Sequence, residues 1–371
     1  MNCTDFLVDR NDFSNIRYQQ RDITELDAGQ VLLKVSRFAF TANNITYAAF
    51  GDAMRYWEFF PSPKGTGIIP VWGFADVQDS RCDGVEIGQR YYGYYPMATH
   101  VIVQPVQVNP AGFIDGASHR QELAVFYNHY AACATDPSYR EDKEAEQMLF
   151  RPLFATAFLL DDLFADSAFF GAKTLYLTSA SSKTALGMAY LLHSNRGSRE
   201  QDYEIVGLTS AGNKTFVAGL GCYDRVVTYG EIEDLRPQDS NALVDFAGDS
   251  ALQLRLHKQL SPGLKYSCMV GASHWTLQTG SALGGGTEDL PGPAPEFFFA
   301  PAQAEKRVSE WGAGAFQSRL GEAWSGFIGF VDSWLAVEVH LGEQETERVY
   351  QNVLAGRSDP KVGYILSLQS D

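Results

Sequence analysis

Two contrasting patterns predict an α/β protein built from a β-rich unit and a doubly wound parallel sheet. Short strands recur through the first hundred residues, whereas from residue 151 strands and helices alternate. The 371 residues fit two domains at roughly 100–200 residues each.

Taken in order, Val31–Phe40 alternates and is rich in β-formers, residues 68–77 and 86–95 are short strands punctuated by glycine, and residues 100–108 alternate as one strand. Residues 122–133 have the apolar spacing of a helix, and residues 141–147 read as a charged, solvated stretch. Residues 153–164 then read as a helix, 173–178 as a buried strand, 184–194 as a helix and 203–209 as a strand. A helix over 214–220, strands at Arg225–Thr228 and 241–247, a helix over Ser250–Leu260 and a strand over 265–271 complete the alternation. Residues 280–296 are rich in Gly and Pro and lack periodicity; a loop of that length is commonly functional. A short strand at 297–300, a helical stretch over 302–332, a helix over 343–354 and a final strand at 362–368 close the chain. This places a first domain at 1–150, resumed by 335–371, and a second at 151–334.

Hydrophobic residues make up 45% and charged residues 20%, enough apolar material for a full core. Lys and Arg number 29 against 45 Asp and Glu, a net charge of -16, which disfavours nucleic acid and anionic lipid as partners. Any anionic ligand must therefore be held by a local positive site. Five isolated cysteines form no C-x-x-C pair and fit a reducing compartment. Residues 1–13 lack the pattern of a signal peptide, and no apolar run approaches ~18 residues. A soluble, cytoplasmic protein acting on a small molecule is the expectation.

The informative turn follows the first strand of the second half: Thr178, Ser179, Ala180, Ser181, Ser182, Lys183, Thr184. A strand, a turn of small residues and a helix N-terminus together suit a pyrophosphate, because backbone N–H groups and the helix dipole face the anion. Ser and Ala stand where G-x-G-x-x-G would place glycine, and an ordinary strand–helix connection has the same outline. Lys183 adds a positive charge. The next strand ends in Ser210, Asn213 and Lys214 with no acidic residue; hydroxyl, amide and ammonium suit a 2′-phosphate, hence NADPH rather than NADH. Capping of the following helix by Ser210 and Asn213 is compatible with the same residues.

Segments 178–187, 205–210, 220–229 and 244–248 resemble, in order and spacing, the medium-chain dehydrogenase/reductase superfamily. They are most similar to its zinc-independent quinone oxidoreductase and enoyl reductase branch, where they read like TGASGGVG, VIGTTS, LGADHVINY and VDVVG. Residues 43–51, 85–91, 151–163 and 349–367 extend the likeness over most of the chain. The resemblance implies a GroES-like first domain and a Rossmann-type second domain that binds NADP(H). It adds Thr156, Tyr229, Phe246, Ala247, Gly248, Val270 and Gly271 to the expected cofactor contacts, and it implies a homodimer, for which 297–300 is a candidate edge strand. The phosphate turn departs from the family in its lost glycines, and residues 111–150 and 280–296 look like insertions.

Zinc-dependent members need converging Cys, His and Glu ligands. Cys82 and His100 stand alone, and Trp72, Gly73 and Phe74 occupy the expected Gly-His-Glu position, so a zinc-free enzyme is expected. Tyr139 to Lys143 matches Y-x-x-x-K but precedes the phosphate turn, as chance would place it. Without a metal, a hydroxyl or amide must stabilise the developing oxyanion. Tyr47, which keeps the family's four-residue offset to Gly51, is the first candidate and Tyr56 the second; the family's asparagine falls on Asn43 or Asn44. The expected activity is NADPH-dependent reduction of an α,β-unsaturated carbonyl or quinone, and a non-catalytic NADPH-binding or structural protein on the same scaffold is the alternative.

Overall fold

The computed structural model describes residues 2–23, 25–236, 240–270 and 290–369. The chain divides into two units, Met1–Leu149 with Leu335–Asp371, and Phe150–Trp334.

In the first unit, Val31–Phe40 is the hub of a nine-stranded sheet. It pairs antiparallel with Pro70–Ser80, His100–Val103 and Val362–Ser367, which buries most of its side chains on both faces. Residues 100–108 are two strands rather than one, His100–Val103 and Pro105–Asn109, because Pro105 has no N–H to continue the first ladder. The helix expected over 122–133 is instead a short 3-10 turn, Val125–Asn128, and a strand, His129–Ala132, that pairs with Arg90–Pro96 and Gly112–Asp115. Leu123, Phe126, Tyr127 and Tyr130 mimic helical spacing, but from 129 the backbone pairs with two neighbouring strands. The strand expected over 86–95 begins only at Arg90, after the turn at Gly88. Residues 141–147 are not a solvated run either. Helix Glu144–Asp166 starts there, with Glu146 and Gln147 buried. Tyr139 donates its hydroxyl to Glu144, which also accepts from Arg90.

Among the strands that escaped the sequence patterns, Asn2–Asp9 and Ile16–Asp22 form a small sheet with Thr66–Gly67. Asp5 interrupts the apolar pattern of the first, yet it is buried and accepts from Arg21 at 2.7 Å. The tail adds a parallel pair, Ala336–Leu341 and Val362–Ser367, joined by helix Gly342–Leu354.

Among its described residues the second unit carries a six-stranded parallel sheet in the order Arg225–Thr228, Glu204–Thr209, Thr174–Leu177, Asn241–Asp245, Leu264–Met269, Glu296–Phe297. The two central strands are buried along their whole length, as strands covered on both faces must be. Leu252, Leu256 and Leu260 of helix Ser250–Leu260 close a core over Tyr176, Val206 and Leu243. Chain order reverses between Thr174–Leu177 and Asn241–Asp245, the switch point at which open α/β sheets bind ligands. The helical stretch over 302–332 is two helices, Ala300–Trp311 and Ala313–Val331, divided at Gly312 with φ +82°. Among the described residues no helix is long and apolar enough to cross a membrane.

Two glycines of the first unit hold the Trp57 indole. A Cβ on Gly51 would lie 2.0 Å from Trp57 Nε1, and one on Gly67 would lie 2.3 Å from Trp57 Cε3. Gly51→Ala should therefore destabilise the protein by about 2 kcal/mol, read as a lower denaturant midpoint followed by tryptophan fluorescence; an unchanged midpoint would show that the indole shifts freely.

Candidate functional site

At the switch point, Thr178 and Asp245 end the two central strands and bind each other. Thr178 donates Oγ1–H to Asp245 Oδ1 at 2.7 Å and accepts the N–H groups of Phe246 (2.8 Å) and Ala247 (3.0 Å). Asp245 Oδ1 also accepts from Ala247 N at 2.9 Å and Gly248 N at 3.3 Å. Both side chains are buried, and desolvation raises the Asp245 pKa against these hydrogen bonds. Phe246, Ala247 and Gly248 thus have N–H groups engaged within the protein, with Gly248 at φ +64°. Val270 N donates to Asp245 O at 2.9 Å and continues the ladder. Gly271 lies outside the described residues.

The chain then turns through Ser179, which takes φ +47°, a left-handed conformation usual for glycine. A non-glycine residue in this region costs about 1–3 kcal/mol, which the surrounding contacts must offset. Ser179 N donates to Tyr229 Oη at 2.9 Å. Buried Ala180 donates its N–H to Leu208 O and accepts from Tyr223 Oη at 2.9 Å. Ser182 caps helix Lys183–Asn195, accepting from Ala185 N at 3.4 Å. The first-turn N–H groups of Lys183 and Thr184 lie beyond reach of any intrahelical carbonyl. Lys183, half-buried with its ammonium 5.4 Å from the Phe150 ring centroid, has no carboxylate partner among the described residues. Burial lowers its pKa from the ordinary 10.5 to about 8.

Asn213 Nδ2 donates to Ser181 Oγ at 2.9 Å, joining the end of the second strand to the turn. Ser210 and Asn213 lead into the next helical segments without side-chain caps. Lys214 is less free than its sequence position implies: its ammonium lies 2.9 Å from Glu231, whose pKa falls to about 2 through the Thr228 N–H and then Lys214 itself. Thr156 is a helix-interior residue whose Oγ1 donates to Pro152 O at 3.4 Å.

The other candidates lie in the first unit. Asn44 closes the capping box of helix Ala42–Ala49: Oδ1 accepts from Thr41 N at 2.8 Å, and Nδ2 donates to Pro70 O at 3.1 Å. Its amide positions the helix. Tyr47, one helical turn on, packs against Tyr56 and Tyr94 with centroids at 4.7 and 5.6 Å and accepts from Trp72 Nε1 at 3.4 Å. Burial, then the neighbouring Tyr56, raises its pKa. The Tyr56 and Tyr127 hydroxyls are 3.3 Å apart. Tyr127, Tyr94 and Trp72 were not among the expected site residues; Tyr127 sat in a presumed helix, and the others read as strand aromatics. Among the described residues no three His, Cys, Asp or Glu side chains gather to hold a metal.

The model of the DUF2855 family, described as a protein of unknown function, matches residues 38–359. No curated protein matches the sequence. CurA from Vibrio vulnificus, solved in complex with NADPH, is 12% identical with a TM-score of 0.61, covering 96% of this chain and 95% of that one. The yhdH oxidoreductase from Salmonella enterica, in complex with NADP, is 13% identical with a TM-score of 0.54 and full coverage of both chains (100% each). The CurK enoyl reductase is 10% identical with a TM-score of 0.55, covering 98% and 99%. The fold is that of the medium-chain dehydrogenases/reductases, a β-rich GroES-like unit with a Rossmann-type sheet.

The lone ammonium makes one prediction without any ligand. The folded pKa of Lys183 lies below its unfolded value, so its contribution is present above pH 10.5 and lost as pH falls towards 8. Lys183→Met should unfold at a higher temperature than wild type at pH 7, with the gap closing as pH rises from 8 to 10. A gap independent of pH would contradict the burial of a charged ammonium.

Proposed function

This chain belongs to the DUF2855 family, and we propose that it is an NADPH-dependent, zinc-independent reductase of an apolar α,β-unsaturated carbonyl or quinone. The observation that carries the proposal is the turn at the switch point. Ser179 takes a left-handed conformation, Asn213 is tied to Ser181, and the uncompensated Lys183 opens the helix.

These residues fit a dinucleotide. Lys183 and the N–H groups of the first helical turn, with the Ser181 hydroxyl, would hold the pyrophosphate. Since Lys214 is paired with Glu231, selection of the 2′-phosphate falls mainly to Ser210 and Asn213. Thr156 would orient the carboxamide. The bound nicotinamide supplies a hydride. Tyr47 would be the proton donor to an acceptor: burial keeps its phenol protonated at neutral pH, and with the Trp72 N–H on its oxygen its O–H is the group that would donate. Tyr56 and Tyr127 extend the hydroxyl cluster. The protein would act in the cytoplasm as a homodimer paired along Glu296–Phe297, the sheet-edge strand beside which Phe297 and Phe299 are exposed.

One observation favours a non-catalytic NADPH-binding protein: two donors near the turn, Ser179 N and Ala185 N, are engaged internally. Titration with each cofactor, then NADPH oxidation across an enone and quinone panel, separates the readings. The expected outcome is NADPH binding about tenfold tighter than NADH. Tyr47→Phe should lower kcat about 10²-fold while leaving NADPH affinity unchanged. NADPH binding without turnover would establish the second reading, and absence of NADPH binding would reject both.

A further inference from the structure

The nine-stranded sheet of the first unit finishes differently at its two ends. At one end, Pro105–Asn109 carries a proline, a left-handed Gln107 at φ +53° and a break in register against Gly112–Asp115, all of which keep a further strand from adding. At the other, Ala336–Leu341 runs parallel to Val362–Ser367 in unbroken register, from Ala336 opposite Val362 to Leu341 opposite Ser367. Among the described residues no strand pairs with its outer edge. Ala336 N donates inward to Lys361 O at 2.9 Å. Backbone groups alternate in direction along a strand, so Val337 and Val339 turn their N–H and C=O groups to that open edge.

Side chains alternate as well. Val337, Val339 and Leu341 share one face, 40%, 45% and 43% exposed, a row of apolar groups that edge strands ordinarily avoid. Glu338 and His340 share the other face, where His340 lies 3.2 Å from Glu338 and 3.0 Å from Glu345. The sequence of the strand, AVEVHL, points to what covers it. Read antiparallel about Val339, it is its own complement: Val337 faces Leu341, Glu338 faces His340, and Val339 faces its own copy. Each carboxylate then meets an imidazole and each apolar side chain another apolar one. The same register lets the two Val339 residues exchange their outward N–H and C=O groups as a hydrogen-bonded pair.

We propose that Ala336–Leu341 is a self-association edge, pairing antiparallel with the same strand of a second copy about a two-fold axis at Val339. Six residues a side bury less than the roughly 1,000 Å² of a permanent interface, so the contact is reversible and follows protein concentration. It is isologous, which closes it at two copies. It is independent of the reductase assignment and separate from the pairing along Glu296–Phe297; where both form, this contact joins one dimer to another.

Disulfide trapping and sedimentation equilibrium of the full-length protein test it. Cys82→Ser supplies the background, since the other four cysteines are buried. In it, Val339→Cys sets two thiols across the axis on Cα atoms about 5.5 Å apart, within disulfide reach. Val337→Cys is the register control, its two copies about 14 Å apart along the paired strands. Mild oxidation should give a reducible covalent dimer with Val339→Cys and not with Val337→Cys. Val339→Lys, at an exposed position, sets two ammonium groups face to face and should raise the dissociation constant of the contact at least about tenfold. No trapping at 339, equal trapping at 337, or an association curve unchanged in Val339→Lys would each overturn the proposal. Failure of the Glu296–Phe297 pairing reads differently: Phe297→Lys would leave the assembly unchanged while Val339→Cys still traps.

Discussion

A buried carboxylate at the end of a strand needs donors, and that requirement organises the second unit. Asp245 has almost no solvent, so its charge must be met by the Thr178 hydroxyl and the N–H groups of Ala247 and Gly248. Meeting it fastens the two strands between which chain order reverses. Thr178 is held from below, and the turn from Ser179 to Ser182 must leave the sheet at a set place. Tyr229 and Tyr223 then pin the turn from its far side through Ser179 N and Ala180 O. A left-handed serine is tolerable there because its neighbours over-determine it.

The first unit meets a similar demand with aromatic rings. Tyr47, Tyr56, Tyr94 and Tyr127 bring phenols together in an apolar setting, where burial raises the pKa of each. Phenols in such a place are donors rather than bases. The cluster depends on Asn44, which fixes the start of the Tyr47 helix.

Much of this was legible in the sequence because parallel strands buried on both faces form short apolar runs between helices. Thr174–Leu177, Glu204–Thr209 and Asn241–Asp245 lie within a residue or two of their predicted spans. What escaped has physical causes. Residues 122–133 carry a helical period by coincidence, and the strand at 129–132 is set by its partners. Asn2–Asp9 hides its β character behind Asp5, whose partner Arg21 comes from the next strand. The pairing of Lys214 with Glu231 joins residues too far apart for any local pattern to reveal. The turn itself was recognisable by type and place, but its left-handed serine was not, since serine seldom signals that conformation.

Whether the switch-point turn holds a dinucleotide is read most directly by hydrogen–deuterium exchange with and without saturating NADPH. A dinucleotide seated on the turn slows exchange in residues 179–186 and 210–214, while strand amides already in the sheet change little. Unchanged exchange over 179–186 in the presence of bound NADPH would contradict it.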